Sequence, residues 1–346
     1  MKNKLNLLVL GILFLNLIPV YSETNNKKKS KKTAQFKREW KYVPNQKKIN
    51  KIIWEKLSSE KNKNSLNIFA QNKKKLKIRS LGKSVKVNDK FYPEISNYVP
   101  NAFVSAKDNL FNVSIRAISK TRSCEGKNFS SKCSDGVLDI GAEIIRNENF
   151  SFSTKYTIQS LTNRGTNIGE ATSMGFRASR KLSSTNSIAI GGENIIHFDN
   201  KVDLGRNFYI VASSYFELAK KNNDYSMIFI NYGIGSDFFG YGGNGTIGKT
   251  SCLGSPNLTG NGTNMCNWGF IASIALALNS RLSLVHEWFG YGYGTGISYR
   301  PLKNMPISFS LYATDYLNKK NPSYIIEKCP KNSCSTRLYG SINLSF

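Results

Sequence analysis

Beyond residue 20 the chain has no apolar run long enough for a transmembrane helix, which needs about 20 consecutive apolar residues. Any crossing of a membrane must therefore be made by strands, because only helices and closed barrels satisfy every backbone polar group in lipid. Histidine is scarce, with two residues in 346. Ser283 stands three residues before His286, which puts the two on opposite faces of a period-two strand and excludes a dyad within it. His197 shares its face with Glu193. A dyad formed across strands stays open, but no catalytic residue is expected. Cysteine is absent before Cys124, which excludes a lipoprotein, since lipidation needs a cysteine directly after the cleavage site. None of the six cysteines makes a C-x-x-C pair and neither histidine lies near one in sequence, so no metal is expected.

Acidic residues are also in the minority, 22 against 49 Lys and Arg, and the imbalance is local. Met1 to Ser22 has a basic start (Lys2, Lys4), an apolar stretch from Leu5 to Val20 and small residues at Val20-Tyr21-Ser22, the pattern of a secretory signal. Residues 23–100 then carry 22 Lys or Arg against 6 Asp or Glu and few core residues, the composition of a partly disordered periplasmic arm. Within this arm, Pro44 to Lys63 is compatible with a short helix bearing Ile49, Ile52, Ile53 and Leu57 on one face. Leu76 to Val99 reads as a small hairpin leading into the next domain. Three roles are open to the arm: contact with anionic cell-wall polymer or lipid head groups, a plug inside a barrel, or a solvated tether, which is the simplest. Nucleic acid is not an expected partner for an exported chain.

From residue 101 the dominant period becomes two, the signature of strands with differently solvated faces. The expected fold is all-β: an up-and-down antiparallel transmembrane β-barrel of about 12 strands over residues 101–346. The strands fall at Phe111 to Lys120, Val137 to Arg146, Phe150 to Thr162, Met174 to Leu182, Ser187 to Phe198, Phe208 to Leu218, Tyr225 to Ser236, Trp268 to Leu278, Leu282 to Gly290, Tyr293 to Pro301, Ile307 to Tyr316 and Arg337 to Phe346. Links after even-numbered strands are short and those after odd-numbered strands mostly long, with Gly290 to Tyr293 the exception, as expected of periplasmic turns and external loops. In the last strand Leu338, Gly340, Ile342, Leu344 and Phe346 share one face, and such an aromatic ending resembles the signal read by the outer-membrane assembly machinery. The partners implied are that machinery and outer-membrane lipid.

With apolar residues facing lipid, the charged ones should point inward. The candidates for lining the lumen are Arg116, Lys155, Arg177, Lys181, Arg300 and Arg337 against Asp139, Glu143, Glu193, Glu217 and Glu287, and groups of opposite sign in a narrow interior should largely pair. The cysteines cluster in three long links, and neighbouring pairing (Cys124 with Cys133, Cys252 with Cys266, Cys329 with Cys334) is the simplest of the fifteen combinations. Gly243 to Thr250 fits the phosphate-loop pattern letter for letter, yet that cradle works only between a strand and a helix amino terminus. Neither nucleotide nor any other cofactor is expected.

Lys181 to Asn194 (KLSSTNSIAIGGEN), Asp203 to Ser213 (DLGRNFYIVAS), Glu287 to Pro301 (EWFGYGYGTGISYRP) and, less clearly, Lys83 to Pro100 (KSVKVNDKFYPEISNYVP) resemble uncharacterised outer-membrane-type barrel proteins of marine cyanobacteria. The resemblance implies a location and no activity. Three functions fit the sequence: a narrow passive channel for small polar or ionic solutes; a structural barrel with an ion-paired interior, whose basic arm holds the cell wall or a periplasmic partner; and, weakest, an outer-membrane hydrolase.

Overall fold

The computed structural model describes residues 76–346 apart from 122–127, 131–132, 163–166, 203–205, 222–223, 237–238, 240–247, 252–264, 291, 303 and 315–335, with backbone alone for 248–251 and 265–267. The helix expected at Pro44 to Lys63 lies outside the described residues.

Alternating side chains make the strands, with successive residues turned to opposite faces of one wall. The described chain runs β1 (Ile78–Leu81), β2 (Ser84–Val87), β3 (Lys90–Glu94), β4 (Phe111–Ile118), β5 (Asp135–Arg146), β6 (Phe150–Ile158), β7 (Thr172–Lys181), β8 (Asn186–His197), β9 (Asn207–Lys221), β10 (Asp224–Ser236), β11 (Gly248–Ser251), β12 (Met265–Asn279), β13 (Leu282–Phe289), β14 (Tyr293–Tyr299), β15 (Ile307–Thr314) and β16 (Arg337–Ser345). Twelve of these close an antiparallel barrel: each pairs with its sequence neighbour from β4 to β10 and from β12 to β16, β10 pairs with β12, and β16 returns to β4. All twelve expected strands are present. The short β11 lies outside the ring, paired only to the start of β12.

In β16 the residues Arg337, Tyr339, Ser341, Asn343 and Ser345 are buried while Ile342 is exposed, which fixes polar as inside and apolar as outside. Ile115, Ile140, Ile190, Ile210, Phe270, Leu284, Ile297, Phe309 and Leu311 are exposed on the same outer face. Large apolar side chains outside, with serine, threonine and charge inside, invert the usual globular arrangement.

β1, β2 and β3 form a separate three-stranded meander rather than the single hairpin expected. Two tight turns make it: Gly82 takes a positive φ of 70° between β1 and β2, and Asn88 one of 53° between β2 and β3. Such angles suit glycine and, less well, asparagine. Residues 76–106 sit inside the barrel. Leu76, Val85, Val87, Tyr92, Ile95 and Phe103 share one apolar core with Tyr215, Met227, Phe229, Ala275, Ala277 and Val285 of the wall. A second cluster joins Val99 and Ala102 to Ala189, Val211, Ile271 and Phe289. Full burial of such side chains stabilises by roughly 1.5–3 kcal/mol each, so the inserted segment is held mainly by its apolar face.

Candidate functional site

The inserted segment divides the interior by chemistry. Against β9, β10, β12 and β13 the contact is apolar, as described. Against β13 to β16 it is a ladder of hydroxyls and amides. Ser283 Oγ donates to the Glu94 carbonyl at 2.6 Å, the Glu94 amide donates to Ser298 Oγ at 3.1 Å, and Ser310 Oγ bonds Ser298 Oγ at 2.7 Å. The fully buried Glu94 carboxylate accepts from Tyr312 Oη at 3.2 Å, from Ser341 Oγ at 3.0 Å and from Asn343 Nδ2. Burial pushes its pKa up, opposed by the nearby Lys83 ammonium and these hydroxyl bonds.

The third face, β4 to β8, is charged. Arg116 pairs with Asp139 at 2.6 Å, Lys155 with Glu193 at 2.9 Å, and Arg177 with Glu143 at 3.7 Å. Glu143 also accepts from Ser105 Oγ at 2.6 Å, and Arg177 reaches Ser80 Oγ and the Asn101 carbonyl, both at 3.4 Å, so this wall grips the inserted segment too. Between them lies a cavity of about 140 Å³, lined by Lys83, Asn97 and Asn101 of the insert and by Arg116, Asp139, Glu143, Lys155, Arg177 and Glu193 of the wall.

Six of the eleven charged residues picked from sequence thus form three lumen pairs. The seventh, Glu287, has a different role. It is 1% exposed and accepts backbone N–H bonds from Asn97 and Tyr98 at 3.0 Å and from Val99 at 3.4 Å, clasping the turn at the far end of the insert. Arg300 is buried at the end of β14, where its Nε donates to the Ser280 carbonyl at 3.1 Å and its guanidinium lies 5.5 Å from the Phe91 ring centroid. Arg337 is buried with its guanidinium 5.4 Å from the Tyr339 ring. Lys181 and Glu217 stand near the short-link rim, away from the cavity, and form no ion pair among the described residues. General pairing of the inward charges therefore gives way to three local pairs and a carboxylate held by main-chain amides.

The insert starts and ends at that same rim. Tyr215 Oη donates to the Leu76 carbonyl at 2.9 Å and lies 3.2 Å from the Ser184 carbonyl, while Lys77 and Lys107 both pair with Glu148 in the 147–149 turn, at 3.2 and 2.9 Å. Arg79 pairs with Glu148 as well. These bases hold the Glu148 carboxyl down at about 2. Tyr92 Oη donates to Asp224 Oδ1 at 3.0 Å and anchors the opposite side of the rim.

Sequence reading missed Lys83, Glu94 and Asn97, because it placed residues 76–100 with the arm. One signal was available: β10 (MIFINYGIGS) and β12 (FIASIALAL) are apolar on both faces, and a barrel strand with lipid outside needs an apolar inner face only if something apolar covers it.

The other sequence expectations fall as follows. Ser283 is fully buried and points into the lumen, whereas His286 is on the outer face with Nδ1 2.7 Å from Thr295 Oγ1, so they lie on opposite sides of β13. Gly248-Lys249-Thr250, the end of the phosphate-loop pattern, lies on strand β11 where a cradle would need a helix. Cys133 is fully buried; the side chains of Cys124, Cys252, Cys266, Cys329 and Cys334 lie outside the described residues. Among the described residues no cluster of three or more metal-ligating side chains occurs. Phe346 faces outward, and its amide donates to the Phe111 carbonyl at 2.8 Å beside the β16–β4 seam. Compared with protein-family models and with curated proteins, the chain matches none.

Proposed function

We propose that this chain is an outer-membrane barrel closed by its own plug, residues 76–106, and that it acts as a narrow passive channel for small polar or ionic solutes along its charged wall. The observation that carries the reading is the asymmetry of the interior: apolar packing seals one side of the plug, and beside it remains a cavity whose charged lining is the ion-paired β4 to β8 face. A cavity of about 140 Å³ has room for several waters or one small solute. The outward apolar belt supports a lipid surround, since soluble chains rarely expose so much contiguous apolar surface. The resemblance of Lys181 to Asn194 and Glu287 to Pro301 to cyanobacterial outer-membrane-type barrels supports the same location, with the short-link rim on the periplasmic side.

A second reading, a structural barrel that passes nothing, is favoured by the number of bonds holding the plug. Flux into liposomes separates the two. With the purified protein, the channel reading expects entry of small ions and exclusion of disaccharides, with ion entry rising when the Glu287 clasp is removed. Vesicles that stay tight to small ions with both the parent and Glu287→Ala would leave the structural reading standing.

A further inference from the structure

The cavity beside the plug contains more hydrogen-bond donors than its own acceptors use. Each carboxylate that lines it, Asp139, Glu143 and Glu193, is already paired with Arg116, Arg177 or Lys155. Lys83 is the fourth cation and has no such partner. Its Nζ donates to Asn97 Oδ1 at 3.3 Å, and no carboxylate lies within 4.0 Å of it among the described residues. Glu94, Asp139 and Glu287 act on it only from a distance, and of these only Asp139, already paired with Arg116, lines the cavity.

Three more donors on the same lining have no protein acceptor. Arg116 spends Nη2 on Asp139 and leaves Nε unpaired; Asn97 accepts with Oδ1 and leaves Nδ2 unpaired; Ser114 Oγ has no partner. Asn97 is 3% exposed and Ser114 7%, so bulk water does not satisfy them. The amide of Asn97 cannot be turned over to cure this, because its oxygen faces an ammonium. One buried acceptor, Asn101 Oδ1, shares the lining while its Nδ2 donates to the Gly82 carbonyl at 2.6 Å. Buried donors without acceptors are costly, and several around one unpaired cation form a site for negative charge.

We infer that this cavity is a binding site for a small oxyanion, held by Lys83, Asn97, Arg116 and Ser114. An oxyanion offers several acceptor oxygens at once, which a halide does not, and one that keeps a hydroxyl, as hydrogen phosphate does, also supplies a donor for Asn101 Oδ1. The site needs the plug in place, since Lys83 and Asn97 belong to it, but it does not need the barrel to conduct.

Equilibrium dialysis of the full chain in detergent against labelled inorganic phosphate tests it. One phosphate per chain is expected to bind saturably. It should weaken by about tenfold in Lys83→Met, the loss of one charge-assisted bond, and remain unchanged in Lys86→Met, whose lysine pairs with Asp108. Should Lys83→Met fail to give the heat-modifiable folded band, Ser114→Ala serves instead, with binding weakened several-fold. The inference is overturned if the parent binds no phosphate saturably, if a folded Lys83→Met or Ser114→Ala binds as well as the parent, or if chloride at matched ionic strength displaces phosphate as effectively as sulfate does.

Discussion

Removing the clasp at Glu287 is the perturbation with the most specific consequence. Three main-chain amides, those of Asn97, Tyr98 and Val99, have this carboxylate as acceptor, and the group is almost fully buried. Next to it the Tyr98 ring packs at 4.6 Å from Phe289 and 5.3 Å from Tyr339, so water does not reach the amides once the carboxylate is gone. An unsatisfied buried donor costs about 1–3 kcal/mol. The three amides can relax together, so Glu287→Ala should lose about 3–5 kcal/mol, the range found when one partner of a buried charged interaction is deleted. Glu287→Gln keeps one acceptor oxygen and turns its amide group against the donors, for a loss of about 2 kcal/mol. The assay is guanidinium unfolding followed by the shift between folded and unfolded bands, combined with hydrogen exchange at residues 97–99. Exchange there should accelerate in both variants while the β13 amides stay protected. If Glu287→Ala unfolds within about 0.5 kcal/mol of the parent, the usual scatter for an inert substitution, and residues 97–99 keep their protection, the clasp contributes nothing and the reasoning fails.

Other consequences test other layers. Lys83 is pushed down to about 8 by burial and by Arg116, against Glu94 and Asp139, which raise it, and with Lys155 adding to the fall. The unfolded chain then holds more protons between pH 8 and pH 10.5, so stability should rise with pH across that window, by at most about 3 kcal/mol. Unfolding midpoints through the window should show the rise in the parent and lose it in Lys83→Met; a flat parent profile would contradict the burial of a charged lysine. Arginine in place of the outward Ile210 should cost about 2–4 kcal/mol if that face meets the bilayer core, and refolding into lipid vesicles measures it; an unchanged yield and stability would argue for a watery exterior. Non-reducing peptide mapping should find Cys124 joined to Cys133, Cys252 to Cys266 and Cys329 to Cys334, and peptides linking cysteines of different external segments would refute neighbouring pairing.

The barrel was legible in the sequence because the outer and inner faces of a closed wall impose opposite demands on alternate residues. A run such as Leu338, Gly340, Ile342, Leu344 and Phe346 against Arg337, Tyr339, Ser341, Asn343 and Ser345 states both demands at once, and the strand bounds followed to within a few residues. The interior was less legible. Charge on an inward face says that a residue meets the lumen, not what it meets there, so Arg116, Asp139, Lys155 and Glu193 were found while Glu287 was expected to face a cation and holds three amides instead. Arg300 shows the same limit, lying over the Phe91 ring with no carboxylate within 4.0 Å among the described residues. The plug was half legible. Its turns at Gly82 and Asn88 lie in a stretch dense in lysine, and that charge reads as a solvated arm until the three-dimensional fold places Val85, Val87 and Tyr92 against Met227 and Phe229.

The central claim is that residues 76–106 fill the barrel in the membrane. Hydrogen–deuterium exchange of the full chain reconstituted in lipid vesicles tests it most directly. If the claim holds, the amides of β1, β2 and β3 and those of residues 97–106 exchange as slowly as the barrel strands; exchange there at the rate of an unstructured peptide, with β4 to β16 protected, would contradict it.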